Sequence, residues 1–121
     1  MIRLMIADDH AIVRGGLKQI FATTSDIVVV SEASESSELL EQWEITPCEL
    51  LLLDMNMPGF SGVKLVQRLH EKDPFRPIVI LSMHNEGQIV ARALKAGASG
   101  YVTKGSEPEI LLAAIRKVAG G

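Results

Sequence analysis

The sequence predicts an α/β domain: a parallel sheet doubly wound with helices on both faces. Three observations carry that expectation. Five short apolar runs alternate with five amphipathic stretches along 121 residues, the pattern of repeated strand–helix–strand units. The run Leu50–Leu53 consists of four leucines, which suits a strand buried on both faces. The first, third, fourth and fifth runs each give way to a residue with chemical potential, Asp8, Asp54, Ser82 and Lys104.

Taken in order, Leu4-Met-Ile-Ala7 reads as a short buried strand running into Asp8-Asp9-His10. Val13, Leu17, Ile20 and Phe21 recur at helical spacing, so a helix is expected over about 12–22. Ile27-Val-Val-Val30 is β-branched throughout and suits a second strand. Leu39, Leu40 and Trp43 mark a second helix that stops before Pro47. The third strand, 50–54, ends on a carboxylate and is followed by a Pro58-Gly59 turn. Val63, Leu65, Val66 and Leu69 give a third helix ended by Asp73-Pro74, and Ile78–Leu81 a fourth strand ending at Ser82. A fourth helix is expected from about Glu86 to Ala96, with Asn85 as its N-cap and Gly97 as its stop. Gly100-Tyr-Val-Thr103 is a fifth strand that ends at Lys104. Ser106-x-x-Glu109 reads as a capping box for a last helix, whose core face is Leu111, Ala114, Ile115 and Val118.

Length allows one domain, and 47% hydrophobic residues allow a sizeable core. Twelve Lys+Arg stand against fifteen Asp+Glu, a net charge of -3, so this domain by itself lacks the basic balance of a nucleic-acid binder. Cys48 is the single cysteine; no intramolecular disulfide is possible, and a reducing, cytoplasmic setting fits. The opening Met1-Ile-Arg-Leu-Met-Ile-Ala-Asp8 has no long apolar stretch and is not a signal peptide. No apolar run approaches the ~20 residues of a membrane helix.

In a sheet ordered 2-1-3-4-5, the first and third strands are neighbours at the switch point, and ligands gather at the carboxyl ends there. Asp8, Asp9 and Asp54 then converge, with Ser82 and Lys104 alongside. Crowded carboxylates repel one another unless a cation joins them. A hard oxygen cluster suits Mg²⁺, which takes one or two carboxylates, a carbonyl and several waters. Asp8, Asp9 and Asp54 with a backbone carbonyl near Asn56 form such a set. Lys104 adds a positive charge and Ser82 a hydroxyl donor. Phosphoryl transfer asks mainly for an in-line nucleophile and charge neutralisation, and Asp54 is the natural nucleophile, since carboxylates form aspartyl-phosphates.

These residues, in this order, resemble a two-component response regulator receiver domain: Asp8-Asp9, Asp54-Met-Asn-Met-Pro58-Gly59 with Gly62, Ser82, and Tyr101 with Lys104. The resemblance covers essentially residues 1–121 and implies the flavodoxin-like receiver fold. It implies that Asp54 takes a phosphoryl group from a sensor histidine kinase with Mg²⁺ present. It further implies that Ser82 and Tyr101 then shift, and that the bond decays by self-catalysis rather than in an enzyme's turnover. Asn56 and His84, each two residues beyond Asp54 and Ser82, stand where the family tunes phosphate lifetime. A narrower likeness is to the NarL/FixJ subfamily, through Asp8-Asp9-His10-x-x-x-Arg14-x-Gly16-Leu17, Ser82-Met-His84 and Ala96-Gly97-Ala98-x-Gly100-Tyr101. It implies a LuxR-type helix-turn-helix DNA-binding domain beyond Gly121, contact with DNA only through that domain, and regulation of transcription. It also implies self-association, through the first and fifth helices or through the face of the fourth helix, fifth strand and fifth helix. One departure is Gly105, where many receivers have proline; a cis bond before a non-proline residue costs about 2.5–4 kcal/mol, so a trans Lys104–Gly105 bond is expected.

Blander readings compete at each position. Asp8-Asp9 alone suits a solvated turn or an N-cap, Ser82 a cap, Lys104 the surface, Tyr101 edge packing. His10 and His84 lack any Cys/His spacing for zinc and stay outside the metal set. A dehalogenase-type phosphatase would want an acid where Asn56 stands. A flavodoxin-like cofactor carrier would want a Ser/Thr/Gly-rich loop where Asp8-Asp9 stands. No glycine spacing matches a P-loop or a dinucleotide fingerprint.

Overall fold

Among the described residues ten elements alternate strictly: β1 (Ile2–Ala7), α1 (Ala11–Ala22), β2 (Ile27–Ala33), α2 (Ser36–Ile45), β3 (Leu50–Asp54), α3 (Val63–Lys72), β4 (Ile78–Ser82), α4 (Gly87–Ala96), β5 (Gly100–Thr103) and α5 (Pro108–Ala119). The structure is a computed structural model and describes residues 1–59, 62–83 and 86–120. All five strands pair in parallel in the order β2-β1-β3-β4-β5, as expected for a doubly wound, flavodoxin-like sheet. No helix among the described residues is long and apolar enough to cross a membrane.

The leucine run explains the two-sided burial. Leu51 and Leu53 enter the core under α2, α3 and α4 with Leu39, Trp43, Leu65, Leu69 and Ala93. Leu50 and Leu52 enter the opposite core under α1 and α5 with Leu17, Phe21, Leu111 and Ile115. Successive side chains of a strand point to opposite faces, so a strand covered on both sides must be apolar at every position. The chain therefore has no solvated face to give β3, and Asp54 is carried to the strand's end inside the protein, at 1% exposure.

Some boundaries move. β1 starts two residues earlier than its apolar core, because Ile2 N–H donates to the Asp26 carbonyl (2.6 Å) and extends the pairing with β2. β2 runs on through Ser31, Glu32 and Ala33. The expected capping box at Ser106 does not form: the N-cap position belongs to Glu107, and its side chain makes no cap hydrogen bond. Pro108 is the cause. It fills the first turn and forces the residue before it into extended backbone, φ -61 and ψ 147 at Glu107. Asn85, expected to cap α4, lies outside the described residues, and Glu86 holds the position before that helix. Gly97 does end α4, at φ 130. No cis peptide occurs among the described residues, so Lys104–Gly105 is trans as expected.

Candidate functional site

Three strand ends build the site. β1 delivers Asp8, whose N–H closes the ladder with β2 by donating to the Ala33 carbonyl (3.0 Å). β3 delivers Asp54. β5 delivers Lys104 just past its last residue, with Lys104 N–H donating to the Ser82 carbonyl at the end of β4 (2.8 Å). The loop after Asp54 is turned by Gly59 at φ 89, a conformation side chains rarely adopt, and a Cβ there would sit 2.5 Å from Ser36 Oγ.

Lys104 Nζ stands 3.2 Å from Asp54 Oδ1 and 3.4 Å from Asp8 Oδ2. Asp54 Oδ1 also accepts from the Asn56 N–H at 3.2 Å. The other oxygen, Oδ2, is buried and has no hydrogen-bond partner among the described residues; Asp8 Oδ2 and Asp9 Oδ1 are buried too, facing Lys104 Nζ at 3.4 Å and the His10 ring Nδ1 at 3.1 Å. Ligand atoms of Asp8, Asp9, His10 and Asp54 all lie within 4.8 Å of one another. Burial pushes the Asp54 carboxyl above its usual range; the Asn56 N–H opposes that, the Asp8 charge adds to it, and Lys104 opposes it again. Burial pulls the Lys104 ammonium down, but the charges of Asp54 and Asp8 outweigh it and hold the pKa above its ordinary value. Buried carboxylate oxygens left without donors need a cation. The acidic pocket of Asp8, Asp9 and Asp54 thus fits a metal ion, and an all-oxygen donor set is the kind that suits a hard one.

Of the residues expected at the site, Asp8, Asp9, Asp54 and Lys104 meet directly. Ser82 is buried at the end of β4, in register with Thr103 and one residue beyond Leu81, the neighbour of Asp54. Tyr101 lies on β5 and is 54% exposed. It shares with Ser82 a surface pocket of about 380 Å³, walled by Met83, Val90, Leu94 and Thr103. The Asn56 side chain turns away from Asp54 and donates to Glu86 Oε2 (3.0 Å), while Glu86 Oε1 accepts from the Met83 N–H (2.6 Å). The two loops at the mouth of the site are tied together by that carboxylate. His84 lies outside the described residues.

Sequence reasoning set His10 aside, yet it belongs to the cluster. Its Nδ1 is 3.1 Å from both Asp8 Oδ1 and Asp9 Oδ1, and its N–H donates to Asp8 Oδ1 (2.9 Å). Adjacency to two acids at a strand end was the available signal. Nothing local signalled that Arg14 meets Glu32 or that Glu86 meets Asn56, since those partners lie 18 and 30 residues away.

Known proteins agree with this geometry. Residues 4–116 match the response regulator receiver domain family. The nitrate/nitrite response regulator protein NarL of Escherichia coli K12 is 42% identical over 118 residues, which are 98% of this chain and 55% of that protein. The chain thus spans about half the length of the relatives it matches. A LuxR-family two-component response regulator from Aurantimonas sp. SI85-9A1 superposes with a TM-score of 0.93 at 33% identity, over 100% of this chain and 86% of the other. The isolated REC domain of RcsB from Salmonella enterica serovar Typhimurium, solved in the presence of the phosphomimetic BeF3-, gives 0.86 at 29%, over 96% and 88%. Fold, strand-end acids and sequence match point the same way: the chain belongs to the response regulator receiver domain family, in its NarL/FixJ branch.

Proposed function

We propose that this domain is the phospho-acceptor of a two-component pathway, with Asp54 as the residue that takes the phosphoryl group from a sensor histidine kinase. The observation that carries the reading is the asymmetry of the Asp54 carboxylate. Oδ1 is held by Lys104 and the Asn56 N–H, whereas Oδ2 is buried without a partner among the described residues. One oxygen is fixed and the other is left to attack. Oδ2 forms a bond to phosphorus as the phosphorus–nitrogen bond of a phosphohistidine breaks, and the leaving imidazole keeps the electron pair. Attack of water on the acyl phosphate later returns phosphate and the carboxylate.

Asp8, Asp9, Asp54 and the carbonyl of Asn56 would hold Mg²⁺, which supplies neutralisation of the phosphoryl charge. Lys104 Nζ and the Ser82 hydroxyl serve the phosphoryl oxygens. Ser82 and Tyr101 share a pocket, which supports a coupled change at that face. Asn56 and His84 tune the lifetime. The domain acts in the cytoplasm as the receiver half of a transcription factor. A helix-turn-helix domain following residue 121 binds DNA, and two copies pair through α1 and α5 or through the α4–β5–α5 face. The RcsB REC domain solved with a phosphomimetic supports this reading by likeness.

Incubation with acetyl phosphate and Mg²⁺, read by intact-protein mass, is expected to label the wild-type domain and leave Asp54→Asn unlabelled. Full labelling of the variant would place the acceptor elsewhere.

A further inference from the structure

The geometry points to Arg14 as a positioning residue for the acidic pair, held in place by Glu32 and Lys18; the inference rests on the metal-assisted reading above. Arg14 Nη1 donates to the Asp8 main-chain carbonyl at 2.5 Å, and its Nε donates to Glu32 Oε1 at 3.1 Å. Glu32 Oε2 in turn accepts from Lys18 Nζ at 2.9 Å. That carbonyl belongs to the peptide joining Asp8 to Asp9. Since a peptide is planar, holding its oxygen restrains the plane and the two Cα atoms from which both side chains leave the backbone. The Asp8 N–H is already held by Ala33. The end of β2 therefore grips Asp8 from both sides, directly through Ala33 and through Arg14 by way of Glu32.

The register of β2 shows why Glu32 is available. Along β1, Leu4 faces Val29 but Met5 faces Ser31, so Val30 is an extra residue. Before it, Ile27 and Val29 point to the core under α1 and α5. After it the alternation is reversed: Ser31 Oγ meets Gln42 on α2, and Ala33 joins the α2–α3 core. Glu32 is thereby turned toward α1, where Arg14 and Lys18 stand. Without the bulge a serine would occupy that place. Lys18, against partial burial and together with Arg14, holds the Glu32 carboxyl below its usual range, so it is ionised when Arg14 needs it. Arg14 and Glu32 line a small polar recess together with Ala33, Ser34 and Glu38.

The sign of one measurement separates positioning from plain electrostatics. Arg14 is a cation beside a cation site, so by charge alone its removal tightens Mg²⁺ binding. By positioning, its removal weakens binding, and outer-shell partners of metal ligands are worth about 10–100-fold in affinity. Mg²⁺ titrations by calorimetry on Arg14→Gln, Arg14→Lys and Glu32→Gln, each checked for wild-type unfolding temperature, make the test. Arg14→Gln is expected to weaken binding about 10-fold. Arg14→Lys, which keeps the charge but loses the two-pronged fork, should also bind more weakly than wild type. Combining Arg14→Gln with Glu32→Gln should add little to Arg14→Gln alone, because both break one chain. Tighter or unchanged binding in a folded Arg14→Gln overturns the inference, as do fully additive losses in the double variant. Should Arg14→Gln not fold, unchanged Mg²⁺ affinity in Glu32→Gln and Arg14→Lys overturns it equally. Failure of the wild-type domain to bind Mg²⁺ would instead remove the proposed function, and this inference with it.

Discussion

Asp54→Asn should reverse its effect on stability when Mg²⁺ is added. Without metal, the native state holds Asp54 with its carboxyl above the ordinary range, chiefly through burial. The sign follows by linkage. A raised native pKa means that the folded protein resists ionising this group more than the unfolded chain does. The penalty is absent below about pH 4, where both states are protonated, and develops as pH rises through the native value. Near neutral pH the metal-free variant, which carries no charge there, is therefore the more stable protein, and its advantage shrinks on acidification. With metal the order inverts. At a Mg²⁺ concentration of 100 Kd, binding stabilises the wild type by about 2.7 kcal/mol. A 121-residue domain unfolds with an entropy of roughly 250 cal/mol/K, so Tm should rise by about 10 °C. Loss of one of three carboxylate ligands weakens binding by about 100-fold or more, given that even outer-shell partners are worth 10–100-fold. At the same concentration the variant then gains about 0.4 kcal/mol, or some 2 °C. Differential scanning fluorimetry with and without Mg²⁺ at several pH values reads both effects. Equal Mg²⁺ shifts in wild type and variant would refute Asp54 as a ligand, and a metal-free variant less stable than wild type at neutral pH would refute the burial argument.

Two other outcomes follow from the packing. Cys48 is buried, and burial raises its thiol pKa despite the nearby Arg76; disulfide-exchange labelling at neutral pH should be slow in the native protein and rapid once it is unfolded, whereas rapid native labelling would contradict the structure. Gly97→Ala should destabilise by at least about 2 kcal/mol, because φ is 130 there and a Cβ would sit 2.4 Å from His70 Cγ; denaturant titration checks this, and adding His70→Ala should recover the packing share but not the backbone share.

What could be read in the sequence depended on how far each residue's partners lie along the chain. β3 and β4 were legible to the residue because burial on both faces demands an unbroken apolar run. β2 was legible only to Val30, since the bulge there reverses the alternation and lets the polar Ser31 and Glu32 stay in the strand. The start of α5 was misplaced because Ser106-x-x-Glu109 is a local pattern, and Pro108 inside it dictates a different first turn. At the site, Asp8, Asp54 and Lys104 announced themselves as strand ends. The Arg14–Glu32 and Asn56–Glu86 pairs, 18 and 30 residues apart, have no local periodicity to reveal them. Tyr101 was legible as part of a resemblance, but its 54% exposure comes from tertiary structure alone.

The placement of Ser82 bears on how an event at Asp54 would reach the surface. Ser82 is buried at 3%, and its carbonyl is held by the Lys104 N–H, so the ends of β4 and β5 are one mechanical unit. The same Lys104 reaches back through its side chain to Asp54 and Asp8. Under the proposed reading, a phosphoryl group on Asp54 gives Lys104 Nζ and the Ser82 hydroxyl a common new acceptor, and both draw on that one unit. The side of the unit away from the acids opens on the pocket shared with Tyr101, Val90 and Leu94, which is the side with room to change. The sheet positions beside it are filled on both faces, by Leu53 and Ile80 in the core under α2, α3 and α4 and by Leu52, Val79 and Leu81 in the core under α1 and α5, and neither core can yield without opening voids. Under the proposed reading, a charge added at Asp54 is relieved toward that pocket, because the interior is already full.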